Sequence, residues 1–547
     1  MFKIKVSRRS FLAMAAMSTA ACTMDYNKIK HFAFRMGPKK DYPTVIIGAG
    51  IGGLCCGAYL ARQGIPVTVV EQHMIPGGYA TAFKRGAFNF DVSLHGTSIR
   101  NNATEDILRD VGVLEKIDLV ELPELYCLKS PSGEIESVPQ RDPDAYIAVL
   151  ARHFPNEEKG IRGFVEEMVD IADESGRIMK ENPTVRGLLY KMTFPKRYPK
   201  MWRVRNKTLA DMLDEYIKNP VLKDYLSALW GYYGLPPSRL SAFMYSVATG
   251  DYIKNGSYYV RKRSQDLSNE LAAMIENNGG RIIYGDSVEK IVLADGAVSS
   301  VELAKGASLP ARAVVSNASA ITTFNKMLPE GALPDSYMGK IRTYRPSLSS
   351  FIVWLGLKEE LRGKIKGAHI YTSGGQDPEK NYESIVKGEV EKISYGLSIY
   401  DNVYEGYSDP GTSTVMITVL SGYEPWRRFE ADYKAGNKDE YYKEKQRWTE
   451  MLIKRAEQEV IPGLSSMIEV KEAATPLTNW RFTRNTEGAI YGFEQSLENA
   501  YMNRIDNRTP VKGLYLASAW GNPSGGFTGV LMSGQQTFLK MMEDWAG

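Results

Sequence analysis

Thr44–Val45–Ile46–Ile47–Gly48–Ala49–Gly50–Ile51–Gly52–Gly53 is a β-branched run that breaks into a glycine turn, and a small-residue stretch over 54–61 reads as helix. A second strand, Val67–Thr68–Val69–Val70, ends at Glu71, which stands 18 residues past Gly53. The order strand, glycine turn, helix, strand, acid is the fingerprint of a dinucleotide site. Gly48 allows the tight turn, Gly50 lets the backbone approach a pyrophosphate, and Gly53 lets helix and strand pack closely. The free N–H groups and positive dipole end of the helix favour the phosphates. Glu71 accepts the hydroxyl protons of a ribose. Six residues on, Gly77–Gly78 suits a backbone threading past a bound cofactor, with Gly78 the contact residue.

The chain of 547 residues is too long for one core and predicts two or more domains. With 43% apolar and 24% charged residues its composition is that of an ordinary globular protein. The formal charge of +4 matters less than its distribution: Lys3, Lys5, Arg8 and Arg9 account for all of it, leaving the rest of the chain neutral. Residues 190–207 carry seven bases and no acid, interleaved with Tyr190, Phe194, Tyr198 and Trp202. No nucleic-acid fold surrounds that stretch, so nucleic acid is not an expected partner. A lip on a membrane surface and a solvated helix face both fit it. Four cysteines are too few for a disulfide framework, and Cys55 and Cys56 read as small core residues of the first helix. The five histidines have no metal-ligand spacing, so no metal is expected.

At the N-terminus, Ser7–Arg8–Arg9–Ser10–Phe11–Leu12 opens a modestly apolar run over 11–21, too short to span a bilayer but suited to a signal. The arginine pair resembles the twin-arginine export signal of bacteria. Such export predicts a periplasmic or membrane-associated protein that takes up its cofactor before leaving the cytoplasm. Thr19–Ala20–Ala21–Cys22 also resembles a degraded lipoprotein box, which leaves lipid attachment at Cys22 open. Residues 23–43 read as a linker.

Residues 145–254 carry apolar spacing near 3.6 and are mostly helical. Sheet returns at 281–284, 288–292, 298–303 and 311–317, the pattern of a dinucleotide-binding domain resuming after an insertion. A second alternating block fills 347–475. Near the end, Gly513–Leu514–Tyr515–Leu516–Ala517 runs into Gly521 and Gly525–Gly526–Phe527–Thr528–Gly529, with a helix after it. This is a second anion-cradling unit.

Together these motifs resemble the flavoprotein superfamily of amine oxidases and phytoene desaturases. Tyr232–Tyr233–Gly234–Leu235–Pro236–Pro237–Ser238, Thr475–Pro476–Leu477–Thr478, Arg481–Phe482–Thr483 and Gly488–Ala489–Ile490–Tyr491–Gly492 are similar to its branch of carotenoid cis–trans isomerases and retinol saturases. The resemblance implies bound FAD in an α/β fold: a discontinuous Rossmann-like FAD-binding domain with an inserted α+β substrate domain. On that basis 1–22 is the signal, and 44–143, 265–346 and 481–547 form the FAD-binding domain. Residues 144–264 are a mostly helical insertion facing substrate or membrane, and 347–480 the substrate domain. The resemblance implies that Gly48, Gly50, Gly53 and Glu71 hold the ADP half of FAD and Val288 the adenine edge. Gly525, Gly526 and Gly529 would approach the pyrophosphate and ribityl chain. His95 falls where the family has F-D-x-G-x-H, and is either a proton-transfer residue or a structural histidine. Tyr491 and Arg481 are catalytic candidates on the substrate side.

One departure stands out. Where relatives read Y-Y-P-x-G-G, this chain reads Tyr258–Tyr259–Val260–Arg261–Lys262–Arg263. Either these cations face the flavin and stabilise a developing anion, or the loop swings outward and they are solvated. Three functions remain open: a flavoenzyme acting on C=C bonds of a long apolar polyene, isoprenoid or other lipid by saturation, desaturation or isomerisation; an amine-oxidase-like enzyme using oxygen; and a non-enzymatic prenyl-binding protein. For the first, the expected electron partner is a membrane quinone, or there is no net electron transfer if the reaction is isomerisation, since no second dinucleotide fingerprint supplies NAD(P)H chemistry.

Overall fold

The computed structural model describes residues 41–93, 95–129, 134–179, 188–373, 376–500 and 503–546. The expected export signal, Cys22 and the linker up to residue 40 lie outside them.

Thr44–Ile47 is buried along its whole length, as a strand covered on both faces must be. It is the middle of a five-stranded parallel sheet ordered Leu514–Leu516, Ala313–Ser316, Thr44–Ile47, Val67–Glu71, Arg281–Tyr284. Three segments far apart in sequence therefore make one sheet, and the dinucleotide-binding domain is discontinuous. The register sets Ile47 beside Val70 on one side and Ser316 on the other. The carboxyl ends of the strands thus deliver Gly48, Glu71, Asn317 and Ala517 to one edge, where ligands of open α/β sheets bind. Helix Ile51–Arg62 packs on this sheet and against the C-terminal helix Phe527–Ala546. The crossing is tight: a Cβ on Gly534 would stand 2.6 Å from the Gly52 carbonyl oxygen and 2.8 Å from the Cys55 Cβ. Cys55 and Cys56 are free, buried and inert, their thiols raised by desolvation.

The second large sheet has seven strands, ordered Ile468–Ala474, Ser349–Leu357, Ser413–Ser421, Gly396–Ser398, His369–Tyr371, Tyr126–Lys129, Ile135–Val138. Its last two strands come from the segment assigned by sequence to the first part of the FAD-binding domain. They join through a parallel pairing of Cys127 with Ile370 and Leu128 with Tyr371. A four-residue strand carries no local sign of which distant edge it will extend, so sequence alone attaches it to its chain neighbours.

The helical block shares one hydrophobic core with the seven-stranded sheet. Helices Glu158–Met179 and Ala242–Asn255 cross closely at Gly250, whose Cβ would lie 2.4 Å from the Met168 carbonyl oxygen. The basic stretch forms helices Leu188–Arg197 and Pro199–Val204. Much of its charge is spent inside the block. Arg203 pairs with Glu215 and with Glu167, whose Oε1 accepts from Arg203 Nε at 2.6 Å. Lys207 pairs with Glu215, and Lys200 with Asp170 at 3.1 Å. Among the described residues, no helix is long and apolar enough to cross a membrane.

Candidate active site

One cavity of about 2050 Å³ runs from the carboxyl edge of the parallel sheet to the face of the seven-stranded sheet and on into the helical block. Single-ligand pockets span about 300–1,000 Å³, so this space holds more than one small molecule.

Its first end is made of backbone. Gly48 takes φ +90°, and a Cβ on Gly50 would meet Asn317 Oδ1 at 2.3 Å. Gly53 does the packing expected of it, with the Gly48 carbonyl oxygen 2.6 Å from its virtual Cβ, and it does not line the cavity. Gly52, which sequence reasoning passed over, is as constrained: its Cβ would stand 2.4 Å from the Ala517 carbonyl oxygen. Asn317 ties these parts together by donating from Nδ2 to that same oxygen at 2.6 Å. The only signal for it was its place at the end of a parallel strand.

Glu71 lines this end and is 8% exposed. Its Oε2 accepts from the Ala49 N–H at 2.7 Å and its Oε1 from the His73 N–H at 2.8 Å. Burial raises its pKa, and the two N–H groups oppose that rise. Gly78 takes φ +62° with nothing nearer to its virtual Cβ than Gly50 Cα at 3.6 Å, and Val288 completes the wall. Across the cavity, Gly525 is forced by the Tyr491 backbone, whose carbonyl oxygen lies 2.5 Å from its virtual Cβ. Gly526, at φ +80°, faces open space. A Cβ on Gly529 would stand 2.8 Å from the Ser524 carbonyl oxygen.

Under the C-terminal loop lies Arg504, 4% exposed and missed by sequence reasoning. Its Nε donates to the Gly521 carbonyl at 2.6 Å, and its Nη atoms to Gln495 Oε1 at 3.3 Å and to the Ala519 carbonyl. Burial presses its pKa down to about 9. Two of the loop's carbonyls are thereby turned onto the guanidinium. Open backbone at Gly78 and Gly526, an acid at the second strand and a helix start at Ile51 fit an elongated dinucleotide cofactor.

The other end is made of side chains. His95 lines it, with Nδ1 3.1 Å from Ser398 Oγ and its ring edge-on to Tyr232 and to His369, at centroid distances of 5.9 and 5.4 Å. Desolvation lowers its pKa to about 4, so the imidazole is neutral. Tyr491 also lines the chamber, and its hydroxyl donates to the Gly231 carbonyl at 3.4 Å. Arg481 does not. It is exposed, hydrogen-bonded to Tyr433 and 5.5 Å from the Phe482 ring, because its helix turn points it outward. Arg484, three residues on, lines the cavity in its place.

Neither reading of Arg261–Lys262–Arg263 holds as stated. Arg261 pairs with Asp118 at 2.7 Å on the surface, and Lys262 is exposed. Arg263 turns inward without reaching the cavity. It takes φ +74° and is anchored by donation to the carbonyls of Asn89 at 2.9 Å and Tyr407 at 2.8 Å, with its guanidinium 4.1 Å from the Tyr407 ring. The left-handed backbone is the conformation a glycine adopts freely, and here two carbonyls and an aromatic face compensate the strain. Among the described residues no group of three or more His, Cys, Asp or Glu could hold a metal ion.

The family model for flavin containing amine oxidoreductase matches residues 51–537. The chain belongs to that family. It is 28% identical over 501 residues to an all-trans-retinol 13,14-reductase from Rattus norvegicus, covering 86% of this chain and 81% of the relative. It is 25% identical over 515 residues to a chloroplastic prolycopene isomerase from Daucus carota, covering 91% and 80%. Among solved structures, a putrescine oxidase variant superposes with TM-score 0.62 at 14% identity, covering 92% of this chain and 99% of that one. Cyclohexylamine oxidase from Brevibacterium oxydans does so with TM-score 0.58 at 16% identity, covering 92% and 100%. The structural likenesses establish the fold, and family membership implies a flavin cofactor.

Proposed function

We propose that this flavoprotein is an FAD-dependent oxidoreductase that saturates, desaturates or isomerises C=C bonds in a long apolar polyene or isoprenoid. The observation that carries this is the continuity of the cavity: past the cradle it opens into a chamber lined by His95, Tyr232, Tyr371 and Tyr491. The relatives named for retinol and prolycopene act on molecules of that shape. When bound, the flavin supplies hydride exchange with carbon. Gly48, Gly50, Gly78 and Gly526 give it backbone to lie against, and Glu71 accepts from its ribose. The tyrosine hydroxyls stay protonated, because burial raises the pKa of each. The test is to mix anaerobically reduced enzyme with all-trans-retinol or a cis-carotene. A product heavier by two hydrogens, or an isomer of unchanged mass, supports the reading. Amine turnover with peroxide release would favour the amine-oxidising alternative instead.

The Arg8–Arg9 pair ahead of a short apolar run supports a further reading, that of a periplasmic or membrane-associated enzyme that trades electrons with a membrane quinone. Reoxidation of the reduced flavin by a soluble quinone analogue, but not by NAD⁺, is the expected result. Replacing both arginines by lysine is expected to hold the protein in the cytoplasm, and unchanged fractionation would refute the leader.

A further inference from the structure

The chamber contains a hydrogen-bonding puzzle. Ser398 Oγ lies 3.1 Å from His95 Nδ1 and 3.1 Å from His369 Nδ1. A hydroxyl has one proton, so it donates to one imidazole and accepts from the other. His369 Nε2 decides the direction: it is buried and has no hydrogen-bond partner. A stranded N–H costs more than a bare lone pair in the same place. The His369 proton therefore sits on Nδ1 and is donated to Ser398. Ser398 then donates to His95 Nδ1, and the one proton of neutral His95 is left on Nε2.

That N–H has no partner among the described residues, and His95 faces the cavity. Beside it, the hydroxyls of Tyr232 and Tyr371 are hydrogen-bonded to each other, which uses one of their two protons. The second proton of that pair is also without a partner among the described residues, and both rings line the cavity. Their neighbours differ. Tyr252 donates to the Gly96 carbonyl at 3.3 Å and Tyr491 to the Gly231 carbonyl at 3.4 Å. So this patch of wall holds two surplus donors side by side, where other hydroxyls have found backbone acceptors. A pure hydrocarbon would leave both donors unmet.

We infer that His95 and the Tyr232–Tyr371 pair form a binding site for an acceptor oxygen, and that the substrate is an oxygen-bearing polyene or isoprenoid rather than a hydrocarbon. This rests on reading the cavity as a substrate chamber. In this site His95 is a neutral hydrogen-bond donor through Nε2, not an acid or base. Ser398 and His369 are positioning residues that fix its tautomer.

The experiment compares binding of all-trans-retinal and of the same polyene lacking the oxygen to the flavin-loaded protein. The aldehyde is expected to bind about ten- to thirtyfold more tightly, the effect of two neutral hydrogen bonds, with a red-shifted polyene absorbance. His95→Phe and the double variant Tyr232→Phe, Tyr371→Phe should each remove much of that preference, while His95→Gln, which keeps an N–H donor, should retain it. Ser398→Ala should convert the ¹⁵N signature of His95 from a single Nε2–H tautomer to a mixture. Equal affinity of wild-type protein for the two ligands overturns the oxygen site and leaves the polyene reading standing. Binding of neither overturns both.

Discussion

At the cradle end of the cavity the wall is backbone, and at the chamber end it is side chain. Around the cradle, missing side chains make the fit: a methyl on Gly50, Gly52 or Gly525 would lie within about 2.5 Å of an oxygen that cannot easily retreat. In the chamber, rings and hydroxyls drawn from five distant segments meet at His95, Tyr232, Tyr371, Ser398 and Tyr491. Backbone fitting tolerates little substitution and leaves a mark in the local sequence. Side-chain fitting repacks more readily, and its parts are recruited wherever the fold happens to bring them. The cradle is therefore suited to a fixed cofactor and the chamber to a substrate that differs between relatives.

The comparison breaks most sharply at two glycines of the cradle. Gly52→Ala drives a methyl against the Ala517 carbonyl, between a helix and a strand that are both pinned. Expected are loss of bound flavin and a destabilisation of about 3 kcal/mol, within the range for overpacking. Gly78→Ala meets only the Gly50 Cα, at an ordinary 3.6 Å contact, and pays for its φ of +62°, about 1 kcal/mol. Flavin content and thermal unfolding of the two variants check this. Similar behaviour would mean that the cradle is not set by close backbone approach.

The next effect lies in the helical block. Glu167 is 1% exposed and takes its charge compensation from Arg203. Arg203→Met leaves a buried carboxylate unpaired and is expected to cost about 3 kcal/mol, measured by denaturant unfolding. A neutral result would return that arginine to the surface role its sequence suggests.

These contrasts explain what was legible. The turn at Gly48, the acid at Glu71 and the loop at Gly525–Gly526 are written in consecutive residues, because a strand, a tight turn and a helix start are local events. The discontinuity of the parallel sheet showed in the return of short apolar runs near 313 and 514. His95 and Tyr491 came through a resemblance of motifs, and both line the chamber. Arg481 does not line it, because it sits on the outward side of helix Pro476–Thr483, whereas Arg484 lies past the helix end in a left-handed conformation, φ +55°, that brings it to the cavity. Ser398, His369 and Tyr371 left no trace: each sits in a three-residue strand whose partners lie far away in sequence. The two strands at 126–138 were assigned to the wrong side for the same reason. Arg263 was misjudged because composition records a charge, whereas its backbone, at φ +74°, takes a conformation that glycine adopts freely and turns the side chain inward.

A smaller effect, in pH, sharpens the chamber side. Burial holds His95 at about 4 and His369 well below the ordinary value of 6.5. Above pH about 6.5 both are neutral in the folded and unfolded chain, and no penalty arises. As pH falls from 6.5 toward 4, the unfolded chain takes up protons that the folded chain refuses, so stability falls with pH in that window. Glu71, whose pKa is raised, acts in the opposite direction. The difference between wild type and a His95→Gln, His369→Gln double variant isolates the histidines. The variant is expected to lose the extra acid sensitivity between pH 6.5 and 4, read as the slope of Tm against pH. An unchanged slope would mean that the two imidazoles are charged in the fold.

The smallest effect concerns the mouth of the chamber. Phe194 and Trp202 of the basic stretch line the cavity, which gives that stretch a place where an apolar substrate would enter. A base near an anionic surface contributes about 1 kcal/mol of attraction. Lys200, Arg203 and Lys207 are already matched by acids of neighbouring helices, so their share of that attraction is largely cancelled. The attraction should instead come from Lys196 and Arg205, the latter lying 3.7 Å from the Trp202 ring. Replacing these two by glutamine is expected to weaken sedimentation with vesicles of phosphatidylglycerol several-fold at low salt. The difference should shrink as ionic strength rises and screening shortens the reach of each charge. Replacing Lys200 and Lys207 in the same way should change vesicle binding little. If the two sets weaken binding equally, net charge rather than the lip geometry governs the contact. Absence of vesicle binding by the unaltered protein would make the basic stretch a solvated helix face, held in place by its own acids.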